Sequence, residues 1–344
     1  MRYRLLGKTG LRVSELCLGT MTFGDDWEFG ADETTCRSMF DAFSAAGGNF
    51  IDTANSYTAG TSERLVGKCI AAERDYYVVS TKYSLTTRPS DPNAGGNSRK
   101  NMMRCVEESL RALGTEYIDI YWVHVWDGVT AIEEFMRGLD DLVRSGKVRY
   151  LGISDTPAWV VARANTLAEL RGWTPFVALQ TEYSLIERTS ERDLLPMADA
   201  LDLSVLAWAP LGGGVLSGKY ERDGQKVRIA DSKRGAWLNG DRINARTLDL
   251  VDVLAEIARQ TEHSAAQLAL AWLLARPNPA IPIVAARTLT QMLENLRCLD
   301  CVLNASQLAA LDEASKIELG FPHRFLRYAP LRQALLGDKR EQFA

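Results

Sequence analysis

A carboxylate, a phenol, an ammonium and an imidazole stand at or just beyond the ends of three successive β-branched runs in this chain. Asp52 ends Phe50-Ile51-Asp52, and Tyr57 follows it in the loop Thr53-Ala54-Asn55-Ser56-Tyr57. Lys82 ends Val78-Val79-Ser80-Thr81-Lys82, and His124 ends Tyr121-Trp122-Val123-His124. A free phenol ionises near pH 10 and is a poor acid at neutral pH. A neighbouring ammonium stabilises the phenolate and is expected to lower that value. A carboxylate beside the ammonium keeps it charged and in place, and an imidazole holds a substrate oxygen. Together the four groups suit an acid that protonates a carbonyl oxygen while its carbon receives a hydride. The plainer reading of Asp52 and Lys82, a structural ion pair, is compatible, because the pair tunes Tyr57 in either case.

Elements must bring these groups together. Strand-like runs occupy Leu16–Leu18, Phe50–Asp52, Tyr77–Thr81, Ile118–His124, Val148–Ser154, Ala178–Thr181, Ser204–Trp208 and Pro282–Val284. Segments with apolar residues at helical spacing lie between them, among them Thr34–Ala46, Arg99–Leu113, Ile132–Ser145 and Pro157–Arg171. Ser264–Ala275 is apolar on nearly all sides and is expected to be buried. Strands that alternate with helices predict a parallel sheet, and eight such units close into an α/β fold of the (β/α)8 TIM-barrel type. Tyr3–Leu6, Gly7–Gly10 and Leu11–Val13 read as an N-terminal β-hairpin. Leu211–Arg246 and the tail from Leu303 to Ala344 exceed what the units need and predict long loops at the C-terminal face. No linker or repeat interrupts the chain, so residues 1–344 read as one domain. Chemistry in such a barrel sits at the C-terminal strand ends, where Asp52, Tyr57, Lys82 and His124 all fall.

Composition narrows the function. The chain has 344 residues, 24% of them charged, with a net charge of -4 and three histidines. Mild acidity argues against a nucleic-acid partner. No stretch reaches the ~20 apolar residues of a membrane span. The opening MRYRLLGKTG has no signal-like apolar core, which makes the cytoplasm the expected compartment. Five of the six cysteines, Cys17, Cys36, Cys69, Cys105 and Cys298, read as small apolar residues. Cys298 and Cys301 form a CxxC with no second pair nearby, so no metal is expected. Gly213-x4-Gly218-Lys219 looks like a triphosphate loop, but Tyr220 stands where Ser or Thr would bind magnesium. The same glycines still let backbone amides approach a diphosphate.

In the order and spacing of its motifs the chain resembles the aldo-keto reductase superfamily over essentially its whole length. The motifs are Gly7-Lys8-Thr9-Gly10-Leu11, Leu18-Gly19-Thr20-Met21, Asp52-Thr53-Ala54 with Tyr57, Glu63-Arg64 with Gly67, and Tyr117-Ile118-Asp119. Gly146-Lys147, Gly152-Ile153-Ser154, Gln180 with Glu182-Tyr183-Ser184 and Pro210-Leu211-Gly212 complete them. It looks closest to a bacterial branch that also resembles potassium-channel β subunits. The resemblance implies a tetrad of Asp52, Tyr57, Lys82 and His124, with Tyr57 as acid, and NADPH bound extended at the barrel mouth. By the same resemblance Thr20, Met21 and Asp52 border the cofactor, Ser154, Asp155 and Gln180 hold its carboxamide, and Trp208 stacks on the nicotinamide. Leu211, Gly212, Gly214, Ser217, Gly218 and Lys219 wrap the pyrophosphate, and Arg287, Gln291, Glu294 and Asn295 meet the adenosine end. Ala209, Pro210 and Ala285 also contact the cofactor.

Four positions depart from the family's pattern. Asp155 stands where Asn is commoner, Trp208 where Tyr or Phe is, and Ala285 replaces a frequent Gly. Thr288 takes a place often held by Arg, so Arg287 and Lys219 favour NADPH while NADH stays open. The pocket is expected to be lined by Met21, Phe23, Trp27, Tyr83, Trp126 and Trp237, with Asp127 accepting a substrate hydroxyl. That aromatic wall suits a bulky ketone or aldehyde, such as a keto-sugar, a terpenoid or toxin ketone, or an aromatic carbonyl. The expected activity is reversible carbonyl reduction by a monomer or homo-oligomer. A slow redox-sensing, cofactor-binding subunit is the alternative, and a barrel hydrolase or lyase using Asp52 and Glu182 is a further one.

Overall fold

The computed structural model describes residues 1–27, 29–218, 220–223, 226–229 and 243–337. Strands β1 (Tyr3–Leu5) and β2 (Arg12–Ser14) pair antiparallel, with Tyr3 opposite Ser14. The next seven strands are β3 (Cys17–Gly19), β4 (Phe50–Asp52), β5 (Val78–Tyr83), β6 (Ile118–Val123), β7 (Val148–Ser154), β8 (Phe176–Glu182) and β9 (Ser204–Trp208). A small antiparallel pair, β10 (Tyr220–Asp223) and β11 (Lys226–Ile229), follows β9. Then β12 (Ile281–Val284) joins β3 to β9, and the eight strands β3–β9 and β12 form one closed parallel barrel.

Helices α1 (Glu33–Ala45), α2 (Thr61–Ile70), α3 (Arg99–Leu113), α4 (Ile132–Arg144), α5 (Ala158–Arg171) and α6 (Leu194–Ala200) return the chain between strands β3 and β9. Helices α7 (Ala245–Arg259) and α8 (Ala265–Leu274) precede β12, and α9 (Leu289–Leu296), α10 (Ala305–Ser315), α11 (His323–Leu326) and α12 (Ala329–Leu336) follow it. Local chemistry sets several boundaries. Asp32 and Ser98 accept the first free amides of α1 and α3, and Gly114 ends α3 in the left-handed region. Ser264 and Gln267 form a capping box on α8. Ala266 to Leu273 are buried, as the all-round apolar pattern requires.

Strand alternation builds two cores. Phe50, Val78, Ile120, Trp122, Ala178, Leu206 and Ile281 fill the barrel. Their sequence neighbours, including Ile51, Val79, Tyr83, Tyr121 and Val123, face outward into the layer beneath the helices. The hairpin closes one end: Leu6 and Val13 are fully buried with the barrel-filling set. Its turn fits tightly, since a Cβ on Gly7 would lie 2.5 Å from the Val177 carbonyl oxygen. The N-terminal end is therefore plugged by the hairpin.

Strands β4, β7 and β9 and helix α3 occupy the residues expected for them. Strand β5 runs on to Tyr83, and β8 begins earlier, at Phe176. Strand β6 stops at Val123, which leaves His124 as the first loop residue. Lys219 and Trp237 lie outside the described residues.

Candidate active site

Backbone strain collects at the open end. Among the described residues six non-glycines adopt positive φ, and five of them follow a barrel strand: Thr58 and Ala59 after β4, Ser84 after β5, Asp155 after β7 and Ala209 after β9. Such conformations cost on the order of 1–3 kcal/mol each and persist where the surroundings over-determine them.

Lys82 is fully buried on the inner face of β5 and uses all three ammonium protons. It donates to Asp52 Oδ2, to the Thr53 carbonyl at 2.9 Å and to Tyr57 Oη at 3.1 Å. The other Asp52 oxygen accepts from Ser80 Oγ at 2.7 Å and from Gln180 Nε2 at 3.2 Å. Burial alone would push the Lys82 ammonium down. The charges of Asp52 and Tyr57, with their hydrogen bonds, outweigh it and hold the value above the ordinary one. The His124 ring lies 5.9 Å from that of Tyr57, edge-on, and Trp27 stands 6.4 Å from Tyr57. Burial, reinforced by Lys82, holds His124 well below the usual histidine range, so its imidazole is neutral.

The phenol corrects one expectation. Burial raises Tyr57 above its ordinary value, and the opposing charge of Lys82 does not reverse that. Tyr57 is thus a fully protonated acid at neutral pH, with Lys82 poised to receive the negative charge on its oxygen.

The rim combines aromatic and polar groups. Trp208 donates from its indole nitrogen to Asp155 Oδ1 at 2.9 Å, joining the ends of β7 and β9. Burial raises the Asp155 carboxyl, partly offset by that hydrogen bond and by Lys82. Ser154 and Gln180 lie buried at the ends of their strands, and Thr20 turns its hydroxyl to the Asp52 carbonyl and Ser62 rather than outward. Beyond Ala209 and Pro210, Leu211 accepts the Gly214 amide, and Gly212, Gly213 and Gly214 take consecutive left-handed conformations. A Cβ on Gly214 would meet nothing within 4 Å, so the chain is bare there. Ser217 donates back to the Gly214 carbonyl, and Gly218 ends the turn, also left-handed. Across the mouth, Thr288 caps α9 and Gln291 returns its side chain to the Arg287 amide. Asn295 holds the Ala285 carbonyl, and Arg287 and Glu294 are exposed. This donor set, a bare glycine turn on one side and a helix start with an exposed guanidinium on the other, fits an extended anionic ligand carrying a carboxamide.

Three expected pocket residues lie elsewhere. Tyr83 follows the inward-facing Lys82, so strand alternation turns it outward, where it stacks on Tyr121 at 5.2 Å. Phe23 is 1% exposed, inside the outer core beside Ala31. Asp127 spends both oxygens on its own loop: Oδ1 accepts the Val129 and Thr130 amides, and Oδ2 the Asn97 amide and the Thr130 hydroxyl. Those bonds hold its carboxyl below the usual range against burial, and they leave no acceptor site for a substrate.

Trp27, Met21 and Trp126 are half-buried at the mouth. Phe29 lies 5.6 Å from Trp27, and Trp159 meets Trp126 edge-on at 5.6 Å while 59% exposed. Sequence reasoning missed Phe29, Trp159 and Ser80. Only Ser80 had a signal: it stands two residues before Lys82 and so shares its face.

A profile of the aldo/keto reductase family matches residues 15–316. The chain is 38% identical over 341 residues to a norsolorinic acid reductase of Aspergillus flavus, covering 95% of this chain and 84% of that protein. It is 38% identical over 336 residues to an aryl-alcohol dehydrogenase [NADP(+)] of Phanerodontia chrysosporium, covering 91% and 86%. An aryl-alcohol dehydrogenase of Pestalotiopsis microspora is 35% identical over 337 residues, covering 95% and 85%.

Proposed function

The chain belongs to the aldo/keto reductase family of oxidoreductases, and on that premise we propose that it is an NADPH-dependent carbonyl reductase, working as a single barrel domain, in which Tyr57 supplies the proton. One observation carries the reading: the buried Lys82 ammonium contacts both the Asp52 carboxylate and Tyr57 Oη, at 3.1 Å from the latter. The bound nicotinamide supplies a hydride to the carbonyl carbon. As negative charge develops on the carbonyl oxygen, Tyr57 Oη gives it a proton, and the Lys82 hydrogen bond stabilises the oxygen left behind. Asp52 keeps Lys82 charged, while Ser80 and Gln180 keep Asp52 oriented. Neutral His124 holds the substrate oxygen. Its Nδ1 is buried without a partner, so the substrate contact falls to Nε2, in the tautomer that carries the proton there. The reverse reaction oxidises an alcohol by the same groups.

For the cofactor, Asp155 and Gln180 flank the carboxamide position and Trp208 stands beside it. The turn Gly212–Gly214 would hold the diphosphate, and Arg287 would meet the adenosine end. Arg287 favours NADPH over NADH, and the Phanerodontia relative bears NADP(+) in its name. The substrate class is a bulky aryl ketone or aldehyde. Trp27 with Phe29 on the Tyr57 side and Trp126 with Trp159 beyond His124 give planar rings flat and edge contacts. Two relatives bear "aryl-alcohol dehydrogenase" in their names, in keeping with that class. Titrating NADPH and NADH against the protein's fluorescence, then assaying a panel of aryl and aliphatic carbonyls, tests the whole reading. Quenching at micromolar NADPH with turnover of aryl carbonyls is expected. No quenching, or quenching without turnover of any carbonyl, overturns it.

A further inference from the structure

Three consecutive left-handed residues, Thr58 (φ 45°), Ala59 (φ 51°) and Gly60 (φ 87°), carry the chain from Tyr57 to helix α2. Glycine tolerates this conformation, whereas a β-branched threonine does not adopt it without restraint. The restraint is visible. Thr58 Oγ1 donates to the Phe23 carbonyl at 2.6 Å and accepts the Ser62 amide at 3.0 Å. The Ser62 hydroxyl is fully buried. It lies 2.7 Å from the Thr20 carbonyl, 2.9 Å from Thr20 Oγ1 and 2.8 Å from Thr53 Oγ1. Proton counting orders these contacts, because a hydroxyl donates once and accepts twice. Ser62 donates to the Thr20 carbonyl, Thr53 donates to Ser62, and Thr20 Oγ1 donates to the Asp52 carbonyl at 3.0 Å.

The ladder ends on the acid cluster. The carbonyl of Thr53 takes one of the three Lys82 protons. The next residue of α2, Glu63, accepts from Thr81 Oγ1 at 2.6 Å, directly before Lys82. One helical turn thus pins the ends of β3, β4 and β5 and holds the strained link that bears Tyr57.

We propose that Ser62 is a positioning residue: through its hydroxyl, held between the Thr53 hydroxyl and the Thr20 carbonyl, and its amide, bound to the Thr58 hydroxyl, it keeps Tyr57 Oη and Lys82 Nζ in register. The assignment rests on the role proposed for Tyr57, but none of the bonds that carry it touches substrate. A loss of register slows proton delivery and leaves binding intact, since a displacement on the order of 1 Å is worth up to a hundredfold in rate.

The test compares Ser62→Ala, Thr53→Val, Thr53→Ser and Tyr57→Phe at a temperature well below every melting point. Ser62→Ala and Thr53→Val are expected to lose about tenfold or more in kcat. Their carbonyl KM and fluorescence-measured NADPH Kd should stay within about twofold. Thr53→Ser, which keeps the hydroxyl and loses only a methyl group, should recover most of kcat. A purely structural role would lower the melting temperature of Ser62→Ala and Thr53→Val and leave kcat in place, and that result overturns the assignment. If Ser62→Ala does not fold, the contrast between Thr53→Val and Thr53→Ser decides alone, and equal kcat in the two overturns it. Full activity in Tyr57→Phe would remove the proposed mechanism itself. Loss in Tyr57→Phe with none in Ser62→Ala and Thr53→Val would remove only the positioning role.

Discussion

The two ends of the barrel are built from the same eight strands and could hardly differ more in content. At the N-terminal end the hairpin drives Leu6 and Val13 into an apolar cluster with Cys17, Phe50 and Ile281. At the C-terminal end Asp52, Lys82 and His124 are buried, and five of the six left-handed non-glycines among the described residues gather there. Burying charge and strain is unfavourable. The plugged end, with its apolar packing, offsets that cost, and the open end uses it to hold Tyr57 Oη beside the Lys82 ammonium. Substitutions at one end should therefore read out mainly as stability and at the other mainly as rate.

The largest break should come from Asp52→Asn. It leaves the buried Lys82 without its counter-ion, and removing one partner of a buried pair costs about 3–5 kcal/mol. Turnover should also fall by about a hundredfold or more, since Lys82 no longer stays charged beside Tyr57. Denaturant unfolding with steady-state kinetics would show both, and unaltered kcat would separate the ion pair from the chemistry. At the plugged end, Leu6→Ala should cost about 2–5 kcal/mol in the same unfolding experiment. Its kcat and KM should be unchanged, and a matching loss of rate would erase the contrast between the ends.

A third difference concerns pH. The folded-state value of His124 is depressed below the ordinary 6.5. The unfolded chain therefore binds the proton more readily, and the stability that His124 contributes is complete above 6.5 and declines as pH falls below it. Melting temperatures at pH 5 and 7.5 should differ by less in His124→Gln than in the parent. An equal difference would mean His124 is not buried neutral. The smallest effect is expected at the rim, where Trp159→Ala should raise KM for an aryl aldehyde about two- to tenfold. A small aliphatic aldehyde should be affected less, and equal shifts for both would place Trp159 outside the pocket.

Much of this architecture could be read before the coordinates, because the information is local and periodic. Val148–Ser154 and Ser204–Trp208 are bounded by residue type alone, and Arg99–Leu113 by its apolar face. Asp52, Lys82 and His124 were legible as polar residues closing apolar strands. What failed depends on parity or on distant partners. Tyr83 looks like a pocket residue until the inward direction of Lys82 is applied to its neighbour. Asp127 looks like a free carboxylate because the amides of Asn97, Val129 and Thr130 converge on it only in the folded loop. The sign of the Tyr57 shift depends on how deeply the phenol sits against how near Lys82 comes, and neither is written in spacing. The Ser62 ladder joins hydroxyls from three elements, and no single segment reveals it.

The central claim, that Tyr57 held on Lys82 is the proton donor, is tested most directly by Tyr57→Phe. This variant removes one oxygen from a ring whose packing against Trp27 and His124 remains. Aryl carbonyl reduction should fall by about a hundredfold to ten-thousandfold, while NADPH still quenches the protein's fluorescence at the parent concentration. Reduction at the parent rate, with the cofactor bound as before, would contradict it.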